Sequence, residues 1–166
     1  MGYRYTCTNP KSQLKLTTER VKVLKVTGAQ IGQIVVEKEL ALDTVKIDRV
    51  IVELRELSEH LFVEKVLKQG LVHVQIFYVK PDHTLTYTAV DLPFSLEVNL
   101  PDFEPCLFTD IQSHLLDLTP NYNLLPALET ETSLLQIKVV GHLLVNTGEW
   151  TEIDVVTRVD LFPKQL

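Results

Sequence analysis

Only two cysteines, Cys7 and Cys106, occur in the 166 residues, and they lie far apart. That spacing excludes a cysteine-ligated zinc site and a small disulfide framework. The pair reads either as two buried thiols or as one disulfide, within a chain or between chains. Nothing approaches the run of about eighteen apolar residues that a membrane helix needs. The opening "MGYRYTCTNPKSQL" has Arg4 as its one early charge and no apolar stretch behind it, so it does not read as a signal peptide. Lysine and arginine never cluster, and the net charge is −6, so the basic face that nucleic acid requires is absent.

The five histidines (His60, His73, His83, His114 and His142) show no metal-ligand spacing with one another or with a cysteine. "SEH" at 58–60 and "SH" at 113–114 contain triad residue types, but neighbours in sequence are not a triad, and there is no nucleophile elbow. "GAQIG" lacks the Lys-Ser/Thr of a phosphate loop. Glu129 and Glu131 fall in an expected loop, where carboxylates are most simply solvated. Trp150 is the one tryptophan, which leaves little for an aromatic glycan platform. No cofactor, metal site or active site is expected.

What is present is strand pattern. Hydrophobic residues make up 45% of the chain and charged residues 23%, an ordinary globular balance. "LVHVQIFYV" at 71–79 sets Val72, Val74, Ile76 and Tyr78 on one face, and His73, Gln75 and Phe77 on the other. "KPDH" then turns into "TLTYTAVDL", which predicts a hairpin. "LLQIKVVGHLLV" at 134–145, the turn-like "NTG" at 146–148 and an alternating run from Trp150 to Leu161 predict a second. In that last run Ile153, Val155 and Val159 share a face, expected to point inward with Ile137 and Val139.

Val21–Val26 and Ile34–Leu42 read as two strands separated by "TGAQIG", and "SLEVNL" at 95–100 as another. "TPNYNLLPALETET" reads as a long surface connection. Val50–Val66 fits a helix or two strands around "ELSEH" by periodicity alone; the strand-rich surroundings favour strands.

The order of "VTGAQIGQIVVEKELAL", "KIDRVIVEL", "EKVLKQGLVHVQIFYV", "DLPFSLEV" and "LLQIKVVGHLLV" resembles the SPOCS domain of spore coat assembly and spore morphogenesis proteins of endospore-forming Firmicutes. The similarity spans about residues 20–145 and is carried by Gly32, Gln33, Glu37, Lys65, Val66, Gly70, Tyr78, Val79, Pro93 and Phe94. It implies an all-β domain without catalysis and a structural role in the spore envelope. The chain departs from the family in lacking a peptidoglycan-binding LysM module and a second domain copy. "PDFEPC" also stands where glycines usually follow the "PF" strand.

The expected fold is therefore an antiparallel, jelly-roll-like β-sandwich of about 8–11 strands. It comprises an extended N-terminal arm, residues 1–12, and one domain, residues 13–166. The expected function is a non-enzymatic structural protein that self-assembles into a filament, tube or layer, with copies of itself as partners. The alternative is an adaptor that docks another spore coat protein or a glycan. Neither nucleic acid nor membrane insertion is expected. A coat protein made in the mother-cell cytoplasm and released at lysis reaches the spore surface without a signal peptide.

In the arm, Tyr3, Tyr5 and Cys7 alternate with Arg4, Thr6 and Thr8, a pattern suited to adding a strand to a neighbour's edge. Twelve extended residues reach roughly 40 Å, and Cys7 of one copy would then meet Cys106 of the next in a disulfide, given an oxidising exterior.

Overall fold

The computed structural model describes residues 8–9, 12–106, 109–126 and 132–163, with side chains described for 15–106, 109–126 and 132–160. It is all-β and antiparallel. Seven strands are described: β1 (Thr8–Asn9), β2 (Ser12–Leu42), β3 (Lys46–Phe62), β4 (Lys65–Val79), β5 (Leu85–Asn99), β6 (Thr109–Leu125) and β7 (Ser133–Pro163). One sheet has the order β1-β2-β7-β6 and the other β3-β4-β5.

The core lies between the sheets. Period-two alternation puts Val66, Val72, Val74 and Ile76 of β4 on the inner face, each completely buried. Ile34 and Val36 of β2 oppose them, with Leu135, Ile137, Val139, Leu143 and Val145 of β7. The layers approach closely at Gly32, where a Cβ would stand 2.6 Å from Leu96 Cδ2 and 3.0 Å from Val98 Cγ2, so a side chain there would force the facing leucine and valine to shift. The β2–β3 corner is pinned by polar contacts. Thr44 Oγ1 donates to Val79 O (2.9 Å), and Ser133 Oγ donates to Thr44 O (2.9 Å).

The strands are fewer and longer than the alternation suggests, because local turn signals do not become turns. "TGAQIG" does not interrupt its strand, and "NTG" does not close a hairpin. These segments face each other across one continuous β2–β7 pair, with Val26 opposite Gly148 and Gly28 opposite Thr147. Thr27 is the extra residue of a bulge between them. No described glycine has positive φ, so the glycines here serve close approach, not left-handed turns. A Cβ on Gly148 would meet Leu24 Cγ at 2.8 Å, and one on Gly28 would meet Thr147 Oγ1 at 2.8 Å.

Val50–Val66 is strand, as its surroundings suggested, but the reversal comes at Val63–Glu64 and not at "ELSEH". The "ELSEH" region instead holds a register shift between Arg55 and Ser58, with Glu56 at φ 52°. "TPNYNLL" belongs to β6 and is no surface connection.

One expectation about the core is overturned. Ile153, Val155 and Val159 are 45%, 39% and 55% exposed. By alternation, Ile153 and Val155 do continue the inner face of β7 that carries Val145. There the opposing sheet has ended, so no described strand faces them. Val159 changes face, because a second register shift between Thr17 and Thr18 leaves Thr157 unpaired. One extra residue moves every later side chain to the other side.

Candidate functional site

Strand lengths create the feature of most functional interest. β6 stops pairing at Thr109–Glu149, whereas β2 and β7 continue paired from Leu24–Trp150 to Ser12–Pro163. A two-stranded ribbon therefore leaves the sandwich. At about 3.3 Å per residue, residues 12–24 span roughly 40 Å. Its inner-facing side carries Val21, Val23, Ile153 and Val155, interspersed with Glu19, Lys25, Glu149 and Thr151. Its other side carries Leu24, Trp150 and Val156 with the ion pairs Arg20–Asp154 (3.3 Å) and Arg20–Glu152 (3.7 Å). Lys22 Nζ sits 5.2 Å above the Trp150 ring. Over most of its length both edges of the ribbon lack a strand neighbour among the described residues.

The root of the ribbon is a cleft of about 840 Å³, bordered by Gly28, Gln30, Phe103, Cys106, Thr147 and Glu149. Its floor is built by the loop after β5. Leu100 and Phe103 are buried and plug the end of the sandwich. The loop is stapled to the β3–β4 turn: Leu100 N donates to Glu64 O (2.8 Å), and Glu64 N donates to Phe103 O (2.8 Å). These contacts hold Glu64 and Asp102 in left-handed conformations, φ 60° and 62°.

Cys106 is exposed on the cleft rim. A tight turn fixes it: its N–H donates to Thr109 Oγ1 (2.8 Å), and that hydroxyl lies 3.3 Å from Sγ, which accepts from it. Cys106 is thus not a buried thiol. Tyr3, Tyr5 and Cys7 lie outside the described residues, so the structure does not bring the two cysteines together or hold them apart. The described portion of the arm, Thr8–Asn9, pairs with Gln13 and Ser12 of its own β2. Only residues 1–7 are left to reach outward, roughly 25 Å when extended.

The histidines occupy separate places. His73 Nδ1 lies 2.6 Å from Asp91 Oδ1, and Gln75 lies 3.2 Å from the other ring nitrogen, on the outer face of the three-stranded sheet. His142 has the same kind of neighbours on the other sheet, Asp117 at 2.9 Å and Gln33 at 3.5 Å. Each imidazole is held by one carboxylate and one amide, with no nucleophile in either set. Ser58 Oγ donates to Gln69 O (3.4 Å), Glu59 pairs with Lys68, and Ser113 Oγ is buried without a hydrogen-bond partner. "SEH" and "SH" therefore form no relay. Among the described residues no group of three His, Cys, Asp or Glu is placed to hold a metal.

A second surface escapes sequence reading. On the outer face of the three-stranded sheet the Arg49 guanidinium lies 4.6 Å above the Phe77 ring, and Phe77 stacks on Tyr87 with centroids 5.7 Å apart. Tyr87 is 65% exposed. The alternation in "LVHVQIFYV" places Phe77 outward, but only the strand register brings Arg49 and Tyr87 beside it. On the other sheet, a shallow groove near Tyr122 holds the ion pair Lys138–Glu37 (2.6 Å), and Gln136 Nε2 donates to Glu39 Oε1 (2.7 Å).

No helix among the described residues is long and apolar enough to cross a membrane. No family model, no curated protein and no solved structure matches this chain.

Proposed function

We propose that this protein is a non-enzymatic structural subunit of a spore or cell surface, which assembles with copies of itself through its N-terminal arm and open strand edges. The observation that carries this reading is the ribbon: long unpaired edges and exposed valine and isoleucine, beside a cleft with Cys106 on its rim. Unpaired strand edges are templates for another chain. A contact between the arm of one subunit and the cleft or edge of the next is heterologous, and so builds open fibres or rings. Residues 1–7 supply the tether, with Tyr3 and Tyr5 packing on the neighbour, and Cys7 bonds to the neighbour's Cys106. The exposure of Cys106 supports this, since a disulfide needs an accessible partner. The likeness to the SPOCS domain supports the same reading and a place in the spore coat.

The test is electron microscopy of the purified protein, beside a variant lacking residues 1–7 and the variant Cys7→Ser. Filaments, tubes or sheets that vanish on truncation are the expected result. Full assembly by the truncated protein overturns the arm. A reduced monomer band in untreated wild-type material overturns the disulfide.

The Arg49–Phe77–Tyr87 row favours one alternative, an adaptor that docks a glycan, since sugar rings stack on exposed aromatic faces flanked by polar groups. Retention of the protein on a polysaccharide, lost in Tyr87→Ala, would select this reading.

A further inference from the structure

The two long seams of the sandwich are not alike. Along one, β2 and β5 close over each other, and their inner-facing Ile34, Val36, Leu92, Phe94 and Val98 are buried. Along the other, β6 and β3 are the facing edge strands. That seam is shut at its far end, where Leu118 and Leu124 of β6 and Val50, Val52 and Leu54 of β3 pack against the core. Toward the cleft it opens. Leu115 of β6 and Leu61 of β3 hold inner-facing positions, paired with Leu143 and Val66, yet they are 43% and 39% exposed. Ser113 Oγ, on the same face of β6, is buried without a hydrogen-bond partner. The outer edge of β6 has no strand neighbour among the described residues. Its stretch from Thr109 to Leu115, between the Cys106 turn and the bulge at Leu116, is therefore an unpaired edge with an uncovered apolar margin. What fits there is one short strand with large side chains on one side only.

We propose that this strand is the arm of a neighbouring copy, paired antiparallel along β6 with Cys7 opposite Thr109. The proposal rests on the self-assembly reading above and names the acceptor edge and the register within it. The arm cannot reach its own β6. Thr8 pairs with Gln13, and Gln13 with Phe162, at the ribbon tip, whereas Thr109 pairs with Glu149 at the root. Phe162 and Glu149 stand roughly 40 Å apart along β7, and residues 1–7 extend only roughly 25 Å. The direction follows from the nearness of Cys7 to Cys106 in that reading. Thr109 N donates to Cys106 O (3.1 Å), so a residue beside Thr109 lies next to Cys106. From that point only an antiparallel arm runs back along β6. Tyr5 then stands opposite Ile111, Tyr3 opposite Ser113 and Met1 opposite Leu115, all inner-facing positions of β6. The aromatic side of the arm thus covers the open seam. Arg4 and Thr6 fall on the outer side, with Arg4 diagonal to the Asp110 carboxylate, a favourable cross-strand neighbour. The added backbone pairs the free N–H and C=O groups of the edge. Each copy donates one arm and offers one edge, so the contact repeats from copy to copy.

The test uses the full-length chain with Cys7→Ser and Cys106→Ser, since strand pairing needs no disulfide. Arg4→Cys combined with Gln112→Cys, opposite each other in this register on the outer side, should give a ladder of cross-linked copies on oxidation. Arg4→Cys combined with Ser95→Cys, on the edge strand β5 of the other sheet, should not. In amide hydrogen exchange, the assembled wild-type protein should gain protection at residues 110–115 relative to the same chain lacking residues 1–7. Assembly that is lost on removing residues 1–7, but gives no ladder at 4 and 112 or no gained protection at 110–115, overturns this acceptor and leaves the arm reading standing. A ladder at 4 and 95 equal to that at 4 and 112 does the same. A truncated chain that still assembles, or a wild type that never does, overturns the arm reading and this proposal with it. If a double-cysteine variant fails to fold, the exchange measurement decides alone.

Discussion

Lys68 Nζ lies on the inner face of the three-stranded sheet and donates to the Glu59 carboxylate on the next strand. The lysine side chain is 1% exposed and the glutamate 41%. The costs of losing each partner are therefore unequal. A buried ammonium left alone is expensive, about 3–5 kcal/mol, whereas a half-exposed carboxylate can be hydrated. Glu59→Ala should accordingly cost about 3 kcal/mol, the low end because the site is partly open. Lys68→Met, which fills the same space with an apolar chain, should stay within about 1 kcal/mol of wild type. Urea unfolding of both variants decides, and a Lys68→Met loss as large as that of Glu59→Ala would contradict the argument.

The ribbon and the sandwich should respond differently to the same truncation. Ile137 is 2% exposed and Ile153 is 45% exposed. Ile137→Ala, like Ile76→Ala, should cost roughly 2–5 kcal/mol. Ile153→Ala should cost less than about 1 kcal/mol, because the residue is already half in solvent. Denaturant midpoints at low concentration measure both, and equal shifts would mean that Ile153 is covered within its own chain.

Glu64 carries a left-handed backbone, φ 60°, in a turn whose N–H and C=O both bond to the plug loop. A β-branched residue tolerates that region poorly. Glu64→Val should destabilise by about 1–2 kcal/mol, and Glu64→Gly should be far milder. Thermal unfolding of the pair checks this, and indifference to valine would remove strain as the reason.

Asp82 gives the clearest pH dependence. Its Oδ1 accepts from the Thr84 hydroxyl (2.6 Å) and the Thr84 N–H (2.9 Å) in the β4–β5 turn. These bonds, the hydroxyl first, hold its carboxyl below the ordinary value of 3.8. A carboxyl with a lowered folded-state pKa contributes its full stability above the unfolded value. The contribution is lost as pH falls through the folded one. The turn should thus be indifferent to acid down to about pH 4 and loosen below it, an effect absent in Asp82→Asn. An NMR titration of the Asp82 carboxyl with a midpoint above 3.8 would refute this.

The class of fold was legible in the sequence because alternation is a direct consequence of strand geometry, as Val72, Val74 and Ile76 demonstrate. The continuity of β2 and β7 was not. Gly28 and Gly148 look like turn residues one at a time, and only their pairing across the ribbon root gives them another use, as space for Thr147 and Leu24. Burial also depends on what stands opposite. Nothing in "WTEIDVVTRVDL" says that the facing sheet ends before it. The site was only partly legible. Cys106 was picked out as a cysteine in an unusual loop, but its rim position depends on the plug at Leu100 and Phe103 and on the turn at Glu64. The Arg49–Phe77–Tyr87 row exists only by register between three strands.

The long β2–β7 pair also sets an order in time. Ser12 pairs with Pro163, so the contact joins widely separated segments, while β3 pairs with β4 and β4 with β5 through short turns. Closing a local hairpin costs far less chain entropy than bringing distant segments together, so the β3–β5 meander forms early. During synthesis β2 leaves the ribosome well before β7 and waits, as a segment of 31 residues, until β7 has been made. Throughout that interval the β7 of another copy fits it as well as its own. Crowded nascent chains therefore compete for each other's strands, and dilution or a chaperone that shields β2 favours the pairing of β2 with β7 of its own chain.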